Sequence, residues 1–190
     1  MLFDMAVDKE VIKAIKTDFF ALRNGEVASR LRKAGSPYKI IFGLLVPQLE
    51  QIAASVVHTS ALAEALWKNK STRESRLLAT MIYPLEEFSL EKAERWAEES
   101  DTMELTDMLC FRLVRNVAGA EGLVAKNFDS NDVCRRYFAL RLAMNLLIIG
   151  KLEDIDAVRS MAEKEYAGNF SETKYLSFQI IEEIDFLKAK

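Results

Sequence analysis

Apolar residues return every three to four positions along almost the whole chain, the spacing of one buried face on an α-helix. In the first segment Val7, Val11, Ile15, Phe19 and Leu22 form such a stripe, with Lys9, Lys13 and Lys16 on another face. Asn24-Gly25 is expected to stop this helix, as glycine does just past a helix end. A short helix "EVASRLRKA" follows, closed by Gly35-Ser36-Pro37, and then the pair "VPQLEQIAASVV" and "SALAEALWKN". "STRESRLLATMIY" opens with Ser71 facing Glu74, the spacing of a capping box, and Pro84 ends it. After "SLEKAERWAEES" comes "DTMELTDMLCFRLVRN", where Asp101 and Glu104 repeat the capping-box spacing. "NDVCRRYFALRLAMNLLII" is the most apolar helix and is predicted to be central, with Gly150 closing it. "EDIDAVRSMAEKE" and "TKYLSFQIIEEIDFLKA" complete the chain, and no segment alternates as a strand does.

Short connections make sequential helices antiparallel neighbours. Helix pairs recur at roughly 30–45 residues, the range of HEAT and armadillo-type arrays. The expected fold is therefore all-α, a curved stack of antiparallel helix pairs in one domain spanning 1–190, with a closed bundle as the alternative. A stack of this kind presents a concave face to a partner.

Composition narrows the chemistry. Half of the residues are apolar and 29% are charged, as in ordinary globular proteins. A single histidine, His58, excludes a multi-histidine metal centre, and two cysteines in no CxxC spacing do not make a structural zinc site. No metal and no cofactor are implied. Cys110 and Cys134 read as reduced thiols of a cytosolic protein. "MLFDMAVDKE" lacks a signal pattern, and no apolar run approaches the roughly 20 residues of a membrane span. A cytoplasmic monomer without a membrane partner is expected.

The net charge of −3 hides a segregation. Residues 1–40 hold 8 basic and 5 acidic side chains, residues 61–80 hold 4 and 2, and residues 111–151 hold 7 and 3. Residues 81–110 hold 2 and 9, and residues 152–190 hold 5 and 9. Such blocks are either solvated helix faces or one basic surface that meets phosphates. Lys68, Lys70, Arg73, Arg76, Lys126, Arg135 and Arg136 are the candidate phosphate contacts, and the acidic blocks should then face away from them.

Asp107 stands out. On a helix its face is shared by Met103, Cys110, Phe111 and Val114, all apolar. A carboxylate buried there without a partner is strongly penalised or keeps its proton. It is a reagent, an exposed residue, or a structural partner of Arg135, Arg136 or Arg141 on the following helix.

Two stretches go beyond generic helix. The first holds Phe42-Gly43, Val46-Pro47, Leu49 and Ile52-Ala53; the second holds Leu66-Trp67 and Arg73-Glu74-Ser75-Arg76-Leu77-Leu78-Ala79. In this order and spacing they resemble the DNA alkylation repair (AlkD-like) family of HEAT-like repeat proteins, from about residue 35 to about residue 145. Physically, Gly43 suits a turn or a close backbone approach, Val46-Pro47 a helix start, and Glu74 a helix cap. Trp67, Trp96, Tyr38 and Phe42 read as packed side chains.

The resemblance implies double-stranded DNA as partner and a DNA glycosylase activity that excises N3- or N7-alkylated purines. The leaving base is already cationic, so a carboxylate is needed chiefly to stabilise the sugar cation. The family's Trp-Asp-x-x-Asp motif aligns with Met103-Glu104-Leu105-Thr106-Asp107, and Asp107 matches its important acid. One of Arg135 and Arg136 matches the family's DNA-facing arginine. Met103 and Cys134 stand where aromatic residues are usual, and Phe178 is the nearest echo of a late aromatic, so these three would wall the lesion site. Relatives that bind unusual DNA without excision, and helical-repeat protein scaffolds, are the alternatives.

Overall fold

The computed structural model describes residues 9–168 and 170–189, all within the expected all-helical class. Val7, the first member of the opening stripe, and most of "MLFDMAVDKE" lie outside the described residues. Among the described residues there is no strand, only an isolated parallel bridge between Ile40 and Thr72. At Phe88 and Ser89 the chain divides into two compact units.

The first unit contains α1 (Lys9–Ala21), α2 (Gly25–Lys33), α3 (Val46–Ser55), α4 (Ser60–Trp67) and α5 (Arg73–Ile82). α5 packs on both α3 and α4 and is buried along nearly its whole length, which explains why Leu77, Leu78, Ala79 and Ile82 read as core. Trp67 is buried as expected, with the Arg76 guanidinium 4.3 Å from its ring centre. Asn24 departs from expectation: rather than ending α1 it caps the start of α2, its Oδ1 accepting from the N–H groups of Glu26 and Val27. Asparagine serves either end of a helix, and only the chain's path decides which.

The loop between α2 and α3 ties this unit together. Ile40 N–H donates to Ser71 O, and Arg73 N–H donates to Ile40 O. The Phe42 ring packs 5.7 Å from that of Phe19, and Phe42 O accepts from Asn24 N–H. Glu74 does not cap its own helix with Ser71, whose hydroxyl turns to Asn69 instead. The fully buried Glu74 carboxylate accepts from the backbone N–H groups of Phe42 (3.1 Å), Gly43 (2.9 Å) and Leu44 (3.4 Å). Arg73 Nη1 binds the same carboxylate at 2.8 Å and Leu44 O at 3.1 Å. α5 is instead preceded by Thr72, which makes no side-chain cap.

Gly43 makes this cradle possible. Its φ is +81°, and a Cβ there would lie 2.2 Å from Asn24 O and 2.8 Å from Ala28 N, both backbone atoms. Gly43→Ala combines left-handed strain with an overlap that no rotamer relieves. A loss of at least about 2 kcal/mol is expected, read from the urea midpoint at unchanged m-value. Val46-Pro47 opens α3 as expected.

The second unit contains α6 (Leu90–Glu99), α7 (Met103–Arg112), α8 (Gly122–Phe128), α9 (Val133–Ile148), α10 (Ile155–Tyr166) and α11 (Ser171–Lys188). α9 is central as predicted, packing on all five of the others, and Gly150 turns the chain after it with φ +66°. Thr102, the residue after Asp101, is the cap of α7: its Oγ1 accepts from Leu105 N–H. α7 also ends earlier than its apolar pattern suggests, giving way to a 3-10 turn at Val114–Asn116. α8 is a seven-residue helix whose Gly- and Ala-rich approach reads as loop, yet Leu123, Val124 and Phe128 are buried against α9.

Candidate functional site

α7 and α9 of the second unit position the acid. Asp107 follows Met103 by four residues on α7, and Tyr137 follows Cys134 by three on α9, about one turn in each case. The Asp107 side chain is neither deep in the core nor free: 41% of it is exposed. Tyr137 Oη donates to Asp107 Oδ1 at 2.8 Å, and Arg141 Nε lies 2.6 Å from the same oxygen. Arg141 Nη2 in turn donates to Tyr137 Oη at 3.1 Å. Of the three arginines open as partners on sequence grounds, Arg141 is therefore the one that meets Asp107.

The electrostatics are a balance. Burial raises the Asp107 pKa above the ordinary aspartate range, and the neighbouring Glu104 adds to this; Arg141 and the Tyr137 hydroxyl pull it back. Arg141 thus limits the rise without cancelling it. The Tyr137 phenol, desolvated beside the carboxylate, is pushed up to about 12, so it stays a donor at any ordinary pH. Cys110, fully buried beneath Asp107, is driven well above the usual thiol value by burial and by the carboxylate, and is no nucleophile. Tyr137 had no distinguishing mark in the sequence, because one tyrosine in an apolar helix looks like any core aromatic. The one available signal was Arg141 one turn later on the same helix.

The three side chains expected as walls, Met103, Cys134 and Phe178, are exposed. The Phe178 ring lies 6.1 Å from that of Tyr166. Cys134 is exposed at the start of α9, its thiol raised by partial burial and then by Asp132, Asp101 and Glu172.

The candidate phosphate contacts fare differently. In the first unit Lys68 and Lys70 are exposed at the end of α4 and in the turn after it. Arg73 and Arg76 are buried in the same unit and present no surface to a phosphate, which corrects the expectation for both. In the second unit Arg136 is also buried: Nε lies 3.1 Å from Glu165 Oε1, Nη1 donates to Ser130 O, and Phe170 covers the guanidinium. Arg136 is a structural tie, reinforced by Thr173 Oγ1 donating to Glu165, and Arg135 is the solvent-facing member of the pair. Within this unit the acidic block carried by α6 does not face away from Arg135 and Lys126. α6 sends Glu98 to Arg135 at 3.1 Å and Glu94 to Lys126.

The family model described as DNA alkylation repair enzyme matches residues 15–147. Among curated protein sequences there is no match. A similar solved structure is that of "a new family of proteins related to the HEAT-like repeat DNA glycosylases with affinity for branched DNA structures". It is 16% identical, and the superposition, with a TM-score of 0.76, covers 90% of this chain and 74% of that one. At this identity the likeness shows the fold, which is that of the HEAT-like repeat proteins.

Proposed function

Because the chain belongs to the DNA alkylation repair enzyme family, we propose that it binds double-stranded DNA and releases N3- or N7-alkylated purines from it, with Asp107 as the acting carboxylate. The observation that carries this reading is the half-exposed Asp107 carboxylate. It sits at the position matching the family's important acid, and among the described residues it is held through Oδ1.

The chemistry asks little more of the protein. In an N3- or N7-alkylated purine the base already bears positive charge, so the N-glycosidic electron pair leaves with it and neutralises it. The positive charge passes to the sugar C1′ and its ring oxygen. A fixed anion beside that carbon is most valuable when the charge is fully developed, which lowers the barrier rather than tightening ground-state binding. Water then adds to C1′ and gives its proton to solvent or to Asp107. Lys68, Lys70, Lys126 and Arg135 are exposed or half-exposed cations for the phosphates.

A second reading, a binder of branched or damaged DNA without excision, is favoured by Met103 and Cys134. Neither offers an aromatic face, and a cation–π contact contributes roughly 0.5–2 kcal/mol. Binding of linear and branched duplexes across a salt series, with release of N7-methylguanine from methylated DNA, separates the readings. A phosphate-led complex weakens steeply as salt rises, and no binding at low salt would remove both. Within that series Arg135→Ala is expected to lower the slope of log K against log salt by about one, while folding stability stays within about 0.5 kcal/mol.

A further inference from the structure

The Asp107 contacts are one-sided. Tyr137 and Arg141 both meet Oδ1, and Arg141 also donates to the Tyr137 hydroxyl, so the three side chains form a directional chain from guanidinium to phenol to carboxylate. Tyr137 stands in the middle: it is the one group that touches both others through a single hydroxyl. It is buried on α9, the central helix of its unit, whereas Asp107 is half exposed on α7. A rigid donor thus grips a carboxylate whose other oxygen takes no part in the grip.

We infer that Tyr137 is a positioning residue: its hydroxyl fixes the Asp107 rotamer through Oδ1, so that Oδ2 is the oxygen presented to the sugar of a bound nucleotide. This inference rests on the reading of Asp107 as the acting carboxylate. A carboxylate free to rotate would lose part of its effect on a developing charge, because preorganisation is what separates a fixed anion from a solvated one. The phenol also favours the ionised form by donating to it, and its own high pKa keeps the proton in place. The charged and titratable groups facing Asp107 are Arg141 and Tyr137 from α9, with Glu104 and Cys110 on its own helix.

Tyr137→Phe keeps the ring and removes only the hydroxyl. Two measurements on it decide the matter. In the DNA-free protein, carbon-13 NMR of the Asp107 carboxyl should show titration at higher pH than in the wild type. On methylated DNA, single-turnover release should slow about tenfold with DNA affinity unchanged, and its rise with pH should begin later. Arg141→Gln should move the carboxyl titration in the same direction. An Asp107 titration unchanged in Tyr137→Phe would overturn the inference, as would a variant that loses stability while its release profile stays put. If the wild type releases no base, the proposed activity falls while the NMR titration still decides whether Tyr137 controls Asp107.

Discussion

Glu74→Ala is expected to destabilise the first unit by about 3–5 kcal/mol, the cost of removing one partner from a buried ion pair. The carboxylate accepts from three consecutive backbone N–H groups and from Arg73, in a place with no access to water. Deleting it takes from the buried Arg73 the carboxylate it binds beside Leu44 O, and leaves the three N–H groups without their acceptor. Glu74→Gln keeps the volume and one acceptor oxygen, so an intermediate loss of about 1–3 kcal/mol is expected. Urea denaturation followed by circular dichroism and tryptophan fluorescence measures both. An alanine variant within about 1 kcal/mol of the wild type would show that the loop is held by its apolar contacts instead.

This cradle marks the limit of what was legible in the sequence. The helical period located nearly every element, because each helix buries one face and its apolar residues record that face. Gly43 could be read because only glycine tolerates that backbone and that proximity. The Ser71–Glu74 spacing suggested a local cap, but the carboxylate acts across some thirty positions on the Phe42–Leu44 loop. Spacing rules see contacts within one turn and are blind to those that the fold creates. The same holds for the site. Asp107 was conspicuous by its apolar neighbours on α7, yet its hydroxyl partner came from another helix. Arginine usually faces solvent, and nothing in the local pattern distinguishes Arg73, Arg76 and Arg136; each is buried here, and Arg136 is held by Glu165, 29 positions away. α8 leaves little trace in the pattern, because seven residues after a glycine-rich approach give too short a period.

Asp107→Asn should lower the release of alkylated purines about 10²-fold or more, comparable to losing a principal electrostatic contact to a transition state. Asparagine preserves the shape and can still accept from Tyr137, so DNA affinity should hold. The pH dependence carries a sign that can be checked. Release needs the ionised carboxylate, so in the wild type it should rise as pH passes through a titration lying above the ordinary aspartate range, then level off. Stability should run the other way. The folded pKa exceeds the unfolded one, so the contribution of Asp107 is fully present below the unfolded value and is lost as pH rises through the folded value. The asparagine variant should lack both trends. The most direct measurement is single-turnover release of N7-methylguanine from methylated duplex DNA by the wild type and by Asp107→Asn, at matched DNA binding. Release by the wild type that is lost in the variant is the predicted result. No release by a folded wild-type protein that binds the DNA, or equal release by both proteins, would contradict the assignment of Asp107 as the acting acid.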